Sequence, residues 1–466
     1  MERDIFNNLS PLDHRYYASN ETLFNQLAEF FSENAYIRYE LKVEAALARV
    51  LAKRGICSQE VAGEIAAACN QVNPEEVYLE EEITKHNIRA LVNCIQRKVS
   101  ENARPFVHFT ATSVDIMDSA TAMRFKEATD KIVIPKCLEL EQQLISIARR
   151  EKATLQVGRT HGQHAVPITF GFAMAEYVSR FGSRIEQIRE TALDLRGKIA
   201  GAVGAYNASS LFFDDPQEFE TEVLWELGLK PANYSNQIVE PEYLTDYIHA
   251  VISAFGVLAN LADDIRHLQR TEIGEVGEAF DASQVGSSTM PHKRNPWNFE
   301  HVKSMWKEFM PRMMTLYLDQ ISEHQRDLTN SASGRFVPEI VIGFVAAVDR
   351  LNRVLRKLVV DQAKMNRNFD STKEMVIAEP LYILLASLGH PDAHEAVRLL
   401  TLESQKTGKT LRELLAQKTE LFSYWERLTP RQRVVLEYPE KYTGGAELKT
   451  ESICNHWEKQ LNIGAV

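Results

Sequence analysis

LTDYIHAVISAFGVLANLADDIRHL, residues 244–268, is the stretch on which the fold turns. Its larger apolar side chains stand at Leu244, Ile248, Val251, Phe255, Leu258, Leu261, Ile265 and Leu268. Steps of three and four place them on one stripe of an α-helix. A second stripe runs Phe170, Met174, Tyr177, Phe181, Ile185, Ile188, Ala192 and Leu195, and Gly197 stands where a helix stop is expected. Residues 119–150, 297–321 and 335–360 repeat the pattern. A helix from Phe170 to Arg196 is about 40 Å long at ~1.5 Å per residue. Its apolar stripe needs partners along its whole length. The expectation is an all-α fold on an elongated central bundle, extended by further copies of the chain.

Outward from the bundle, the chain divides into three expected helical domains. Residues 1–105 form an N-terminal unit with helices near 21–54 and 59–71, and residues 106–364 form the bundle. Residues 365–466 form a unit of shorter helices, broken by Pro380, Pro391, Pro430 and Pro439. Helical periodicity lapses around 153–169, which is where short strands are expected.

Composition narrows the function. A net charge of −11 argues against a general nucleic-acid binder, which needs a surplus of Lys and Arg to neutralise phosphates. A local Arg and Lys cluster could still hold a small anion. Cys57, Cys69, Cys94, Cys137 and Cys454 are odd in number and match no zinc spacing, as expected of reduced cytoplasmic thiols. The N-terminus lacks the apolar core of a signal peptide. No apolar run approaches a membrane span, so no membrane role is expected.

Between two helical patterns lies GSSTMPHKRNP, residues 286–296. Gly286 and the two serines permit unusual backbone angles. Asn295 and Pro296 read as an N-cap and a first helical residue. Lys293 and the positive end of the following helix would favour an anion such as a carboxylate. Any short piece of this string is an ordinary linker with a cap. The whole joins hydroxyls, two cations and a helix start without a gap.

That string resembles the signature loop of the fumarase/aspartase superfamily, commonly GSSxMPxKxN, whose members eliminate fumarate by breaking a C–N or C–O bond. The resemblance implies that superfamily's three-domain helical fold. It makes Ser287 the base, has Ser288 contact substrate, and gives Lys293 and Asn295 to a carboxylate. A serine is a poor base unless a local field favours its alkoxide. Fixed donors aimed at the carboxylate would stabilise the charge that builds up when the neighbouring carbon loses its proton.

Other segments resemble the adenylosuccinate lyase family. GRTHGQHAVP, residues 158–167, implies His161 as the acid that protonates the leaving nitrogen, with His164 structural. Taken alone, His161 would read as a hydrogen-bonded structural histidine. HFTATSVD, residues 108–115, implies that Thr112 and Ser113 bind the succinyl carboxylate, although the pair also reads as a helix cap. QRDLTNS, residues 325–331, with Arg335, implies Arg326, Ser331 and Arg335 as substrate contacts that include its phosphate. SPLDHRY, residues 10–16, offers Arg15 and Tyr16 to the nucleotide. GKIAGAVG, residues 197–204, resembles a family turn, and Asn236-Gln237 resembles a Thr-Gln pair that orders substrate through Gln237. His86 keeps the family's His-Asp pattern, but Asn87 replaces the Asp and removes a charge at the nucleotide end.

The resemblance implies a homotetramer with shared sites, acting on small succinyl-nucleotides in the cytoplasm. The elimination requires no metal and no redox cofactor. His390-Pro391-Asp392-Ala393-His394 reads as a solvated helix start, since it lacks the HExxH order. Gly201 and Gly204 lack the βαβ context of a dinucleotide site. Two rivals remain: a related lyase, such as an argininosuccinate lyase or a muconate cycloisomerase, and a non-catalytic structural protein of the crystallin kind.

Overall fold

The computed structural model describes residues 5–280, 289–290 and 292–464. Long helices dominate, and the described strands form three two-stranded pairs. By contacts the chain forms two compact units. The first comprises Met1–Cys137, Ser183–Gly256 and Ser304–Asp349; the second comprises Leu138–Gly182, Val257–Lys303 and Arg350–Val466. The boundaries fall inside helices, so this division does not follow chain order.

In the first unit the helix expected near 21–54 is two, Glu21–Phe31 and Glu33–Lys53. Ser32 makes the break: its backbone is extended, and its hydroxyl accepts from Ala35 N at 3.2 Å as an N-cap. Gln59–Cys69, Pro74–Thr84 and Asn87–Gln96 follow. Ser113–Ala128 continues through a π-helical turn, Thr129–Val133, into Ile134–Arg150. Pro135 explains the widened turn, because it has no N–H to donate and its ring crowds the carbonyl one turn back. Thr129 Oγ1 occupies the turn, 2.7 Å from both Phe125 O and Tyr247 Oη. In the core, the Phe255 ring lies 6.4 Å from that of Phe309 and 5.7 Å from that of Phe344. Gly343 makes room, since a Cβ there would strike the Phe309 ring.

In the second unit the stretch around 153–169 is an antiparallel hairpin, Leu155–Thr160 with Gln163–Thr169. Gly182 receives the Trp457 ring from the last helix, Ala446–Gln460, so a side chain at Gly182 would displace it. Arg149 ties the same helix down through Glu451 and Glu458. Leu381, Leu400, Leu414 and Leu436, from four short helices, centre a separate small core.

Several boundaries differ from expectation. Phe170–Leu193 ends before Gly197, which instead lies in the short strand Arg196–Gly197 paired parallel with Lys230–Pro231. Pro311 breaks the 297–321 pattern into Trp297–Phe309, a 3-10 turn at Met310–Arg312, and Met313–Asp319. The 335–360 pattern is the helix Ser331–Leu355 followed by the strand Val359–Val360. Two helices, Glu242–Leu268 and Ser331–Leu355, are long and apolar enough to cross a membrane by length and composition, contrary to expectation. Half or more of each apolar window, 67% and 50%, is buried within the protein, as in core helices.

Candidate active site

Thr112 caps the helix Ser113–Ala128, where backbone N–H groups lack helical partners. The third helical residue, Asp115, closes the turn by accepting from Thr112 N at 2.8 Å. Asp115 is fully buried and pairs with the equally buried Lys198, which also donates to Gly201 O at 3.1 Å. Ala200 N and Gly201 N add donors to the same carboxylate at 3.1 and 3.2 Å. A buried ion pair is tolerable only when its remaining valences are filled this way. The two sequence segments 108–115 and 197–204 thus form one rigid corner.

The approach to that corner is strained. His108 and Thr110 both have positive φ, 61° and 67°, outside the usual range of side-chain-bearing residues. Glu44 holds this turn, with its Oε1 2.6 Å from His108 Nδ1. Burial alone would depress the His108 ring. The Glu44 carboxylate, helped by Asp115, outweighs burial and holds the ring's pKa above the ordinary 6.5.

The first unit holds ten of the expected site residues. His86 caps the helix Asn87–Gln96 through Nδ1, which accepts from Arg89 N at 3.3 Å. The Asn87 amide lies 3.7 Å from the Met117 sulfur, a contact that needs no charge. Gln237 N donates to Gln325 O at 3.4 Å, which sets the 235–239 turn against the 325–331 segment. Asp327 holds that segment by accepting from Thr329 N, Thr329 Oγ1 and Glu323 N. Ser331 begins its helix, and Arg335 donates back to Ser331 O at 2.9 Å. Arg15 begins a short helix, with Tyr16 next to it. A cavity of about 150 Å³ brings Arg326 and Asn330 together with Asp118, Val239 and Thr245. Burial pushes Asp118 up to about 6, against the pull of the Val239 N–H at 2.8 Å, Lys198 and Arg326.

The second unit holds His161, Lys293 and Asn295. His161 sits at the exposed tip of the hairpin with φ +55°, beside Gly162 at +72°. Below the tip, Arg159 forms a bidentate pair with the fully buried Glu275. Gln156 and Asn368 donate to the same carboxylate at 2.8 and 2.9 Å. His164 Nδ1 lies 3.0 Å from Thr372 Oγ1, and burial together with Arg159 lowers its pKa. Lys293 is exposed, and Asn295 is half-buried. Ser287 and Ser288 lie outside the described residues.

The expected N-cap at Asn295 is corrected. The helix begins at Trp297, and Glu300 N bonds to Pro296 O, one residue later than a cap at Asn295 requires. Two of its first N–H groups are already filled. Glu278 accepts from Asn298 N at 2.8 Å and from Phe299 N at 3.2 Å. The positive helix end therefore serves an internal carboxylate, and the expected dipole contribution to an anion beside Lys293 is reduced accordingly.

Sequence reading passed over Lys198, Asp118, Glu275, Glu278 and Gln269. Lys198 lay inside a quoted turn, and only its burial marks it. Glu275 and Glu278 stand close together in EVGE, with no local signal of their distant partners.

A lyase family model matches residues 14–310, and an adenylosuccinate lyase C-terminal model matches residues 322–432. The fold is that of 3-carboxy-cis,cis-muconate lactonizing enzyme from Pseudomonas putida, with a TM-score of 0.80, 25% identity, and coverage of 94% of this chain and 97% of that one. A fumarate lyase from Mesorhizobium sp. BNC1 shares the fold with a TM-score of 0.79 at 24% identity, covering 92% of this chain and 97% of that one. The family model, which spans well over half of the chain, makes it a lyase. Adenylosuccinate lyase from Pyrococcus abyssi is 35% identical over 462 residues, 97% of this chain and 99% of that one. The same enzyme from Methanocaldococcus jannaschii is 32% identical over 442 residues, 93% of each chain. The chain belongs to the adenylosuccinate lyase family, enzymes of purine biosynthesis. N-acetyl-S-(2-succino)cysteine lyase from Dickeya dadantii is also similar, 28% identical over 92% of this chain and 94% of that one.

Proposed function

We propose that the chain cleaves adenylosuccinate to AMP and fumarate, and the succinyl-carboxamide imidazole ribotide to its amide and fumarate. The near full-length similarity to adenylosuccinate lyases carries this reading. Ser287 takes a proton from the succinyl carbon next to a carboxylate. The C–N bond then breaks, its electrons go to nitrogen, and His161 protonates that nitrogen. Lys293, Asn295, Ser288, Thr112 and Ser113 hold the carboxylates. Arg326, Ser331 and Arg335 hold the phosphate. Arg15, Tyr16, His86 and Asn87 face the nucleotide, and Gln237 orders the substrate. A fixed Thr112 turn and a hairpin tip braced by Glu275 suit these roles, since catalysis needs preformed geometry.

The working form in this reading is a cytoplasmic homotetramer whose sites combine segments from different subunits. Met314, Leu318, Ile321 and Phe336 support it, being more than half exposed in the single chain. Ser287→Ala is expected to bind substrate without turning it over. Near-normal turnover would remove Ser287 as the base, and a stable monomer in sedimentation would remove the shared site.

The similarity to N-acetyl-S-(2-succino)cysteine lyase favours a second reading, in which the bond broken is C–S in a succinyl thioether. A thiolate leaves without an acid, so that reaction would tolerate loss of His161.

A further inference from the structure

Two side chains meet at the neck of the segment between Glu278 and Asn298. Gln269, just past the end of Glu242–Leu268, reaches both sides of it with one amide. Its Oε1 accepts from Glu278 N at 3.0 Å, and its Nε2 donates to Arg294 O at 3.2 Å. Gly277 lets the amide approach, since a Cβ there would lie 3.3 Å from Gln269 Cδ and Oε1. Glu278 makes the second link. Its side chain is buried, and it accepts from Asn298 N, Asn298 Nδ2 and Phe299 N at 2.8, 2.6 and 3.2 Å. Arg350 holds the other end of the Asn298 amide, donating to its Oδ1 at 2.9 Å, while its guanidinium lies over the Trp297 ring.

The two links differ in kind. Gln269 joins backbone to backbone across the neck. Glu278 joins the incoming strand to the start of the outgoing helix, a position where a carboxylate is favoured by free N–H groups and the helix dipole. Between them they tie down Arg294 on one side and Asn298 on the other. Lys293 and Asn295 are the immediate neighbours of Arg294. A shift of about 1 Å in such a group is enough to cost roughly a hundredfold in rate.

We propose that Gln269 and Glu278 are positioning residues that clamp both ends of this segment and so set where Lys293 and Asn295 meet the substrate carboxylate. The kinetic part of this proposal rests on the lyase reading above, whereas the clamp itself does not.

Glu278→Gln and Gln269→Leu, made in the full-length chain, test it by two readouts. Lys293 and Arg294 are exposed and are trypsin sites, so the rate of cleavage after them, read by mass spectrometry, reports the clamp without substrate. Each variant is expected to melt as a cooperative protein and to be cut there several times faster than the wild type. Each is also expected to lose roughly tenfold or more in kcat on adenylosuccinate, with a smaller change in KM. Glu278→Asp, which keeps the charge on a shorter stem, is expected to fall between. Wild-type cleavage rates in both single variants would overturn the clamp. Faster cleavage with unchanged kcat would overturn the positioning role. If Glu278→Gln fails to fold, Gln269→Leu decides alone by the same criteria. Absence of turnover in the wild type itself would count against the lyase reading and leave the cleavage result standing.

Discussion

Replacing Glu275 by Gln changes one atom in the brace beneath His161, and the structure sets the size of the effect. The Glu275 side chain is fully buried and the Arg159 side chain is 17% exposed. Four hydrogen bonds converge on the carboxylate: two from Arg159, one from Gln156 and one from Asn368. Gln fills the same volume but turns an NH₂ toward these donors and leaves a guanidinium out of water without its counter-charge. Breaking a buried pair in this way costs about 3–5 kcal/mol. An exposed pair such as Lys85–Glu82 contributes about 0–1 kcal/mol. The expected loss therefore corresponds to an unfolding equilibrium constant raised by roughly two to three and a half decades, read as a lower urea midpoint by circular dichroism. The double variant Arg159→Met with Glu275→Leu removes both charges and is expected to regain part of that loss, the remainder being the Gln156 and Asn368 amides left without their acceptor. Activity adds a second axis: with the hairpin loosened, kcat should fall further than KM changes. An unfolding free energy for Glu275→Gln within about 1 kcal/mol of the wild type would contradict this, since only a solvated pair behaves that way.

Two further outcomes concern pH and burial. The folded-state pKa of His108 lies above its ordinary 6.5, so its pairing with Glu44 contributes fully below about that pH and is lost as pH rises through the raised value. The stability gap between wild type and Glu44→Gln should therefore narrow as pH rises above 6.5, and a widening gap would contradict the assignment. Glu141 is fully buried, and neither oxygen has a hydrogen-bond partner among the described residues. Burial raises its pKa well above 4.5, so it binds a proton more tightly when folded, and stability falls as pH rises past that value. Glu141→Leu should be more stable by about 1–3 kcal/mol near neutral pH, with the gain shrinking toward pH 4; loss of stability at every pH would show that the carboxyl has a partner.

What was legible in the sequence was what is local. The stripes from Phe170 to Ala192 and from Leu244 to Leu268 lie on helices because their apolar period is a property of each segment alone. Thr112 reads as a cap for the same reason, its partner Asp115 being three residues away. Interruptions were harder. Ser32 splits a helix whose apolar period continues on both sides, and the π turn at Thr129–Val133 leaves no gap in the pattern. Long-range pairs left no trace: Lys198 is 83 residues from Asp115, and Arg159 is 116 from Glu275. The misplaced cap has the same origin. Asn-Pro is a sound local signal, but a carboxylate 20 residues upstream supplies the acceptors. At the candidate site, recognisable strings led to the residues that would touch substrate. The buried groups that hold them depend on the fold and became visible only with it.

The central claim is tested most directly by incubating the purified chain with adenylosuccinate and following the ultraviolet change as AMP and fumarate form. N-acetyl-S-(2-succino)cysteine is run beside it. Rapid conversion of adenylosuccinate, with stoichiometric fumarate and little release from the thioether, is expected. No conversion at high enzyme concentration, or fumarate from the thioether alone, would contradict it.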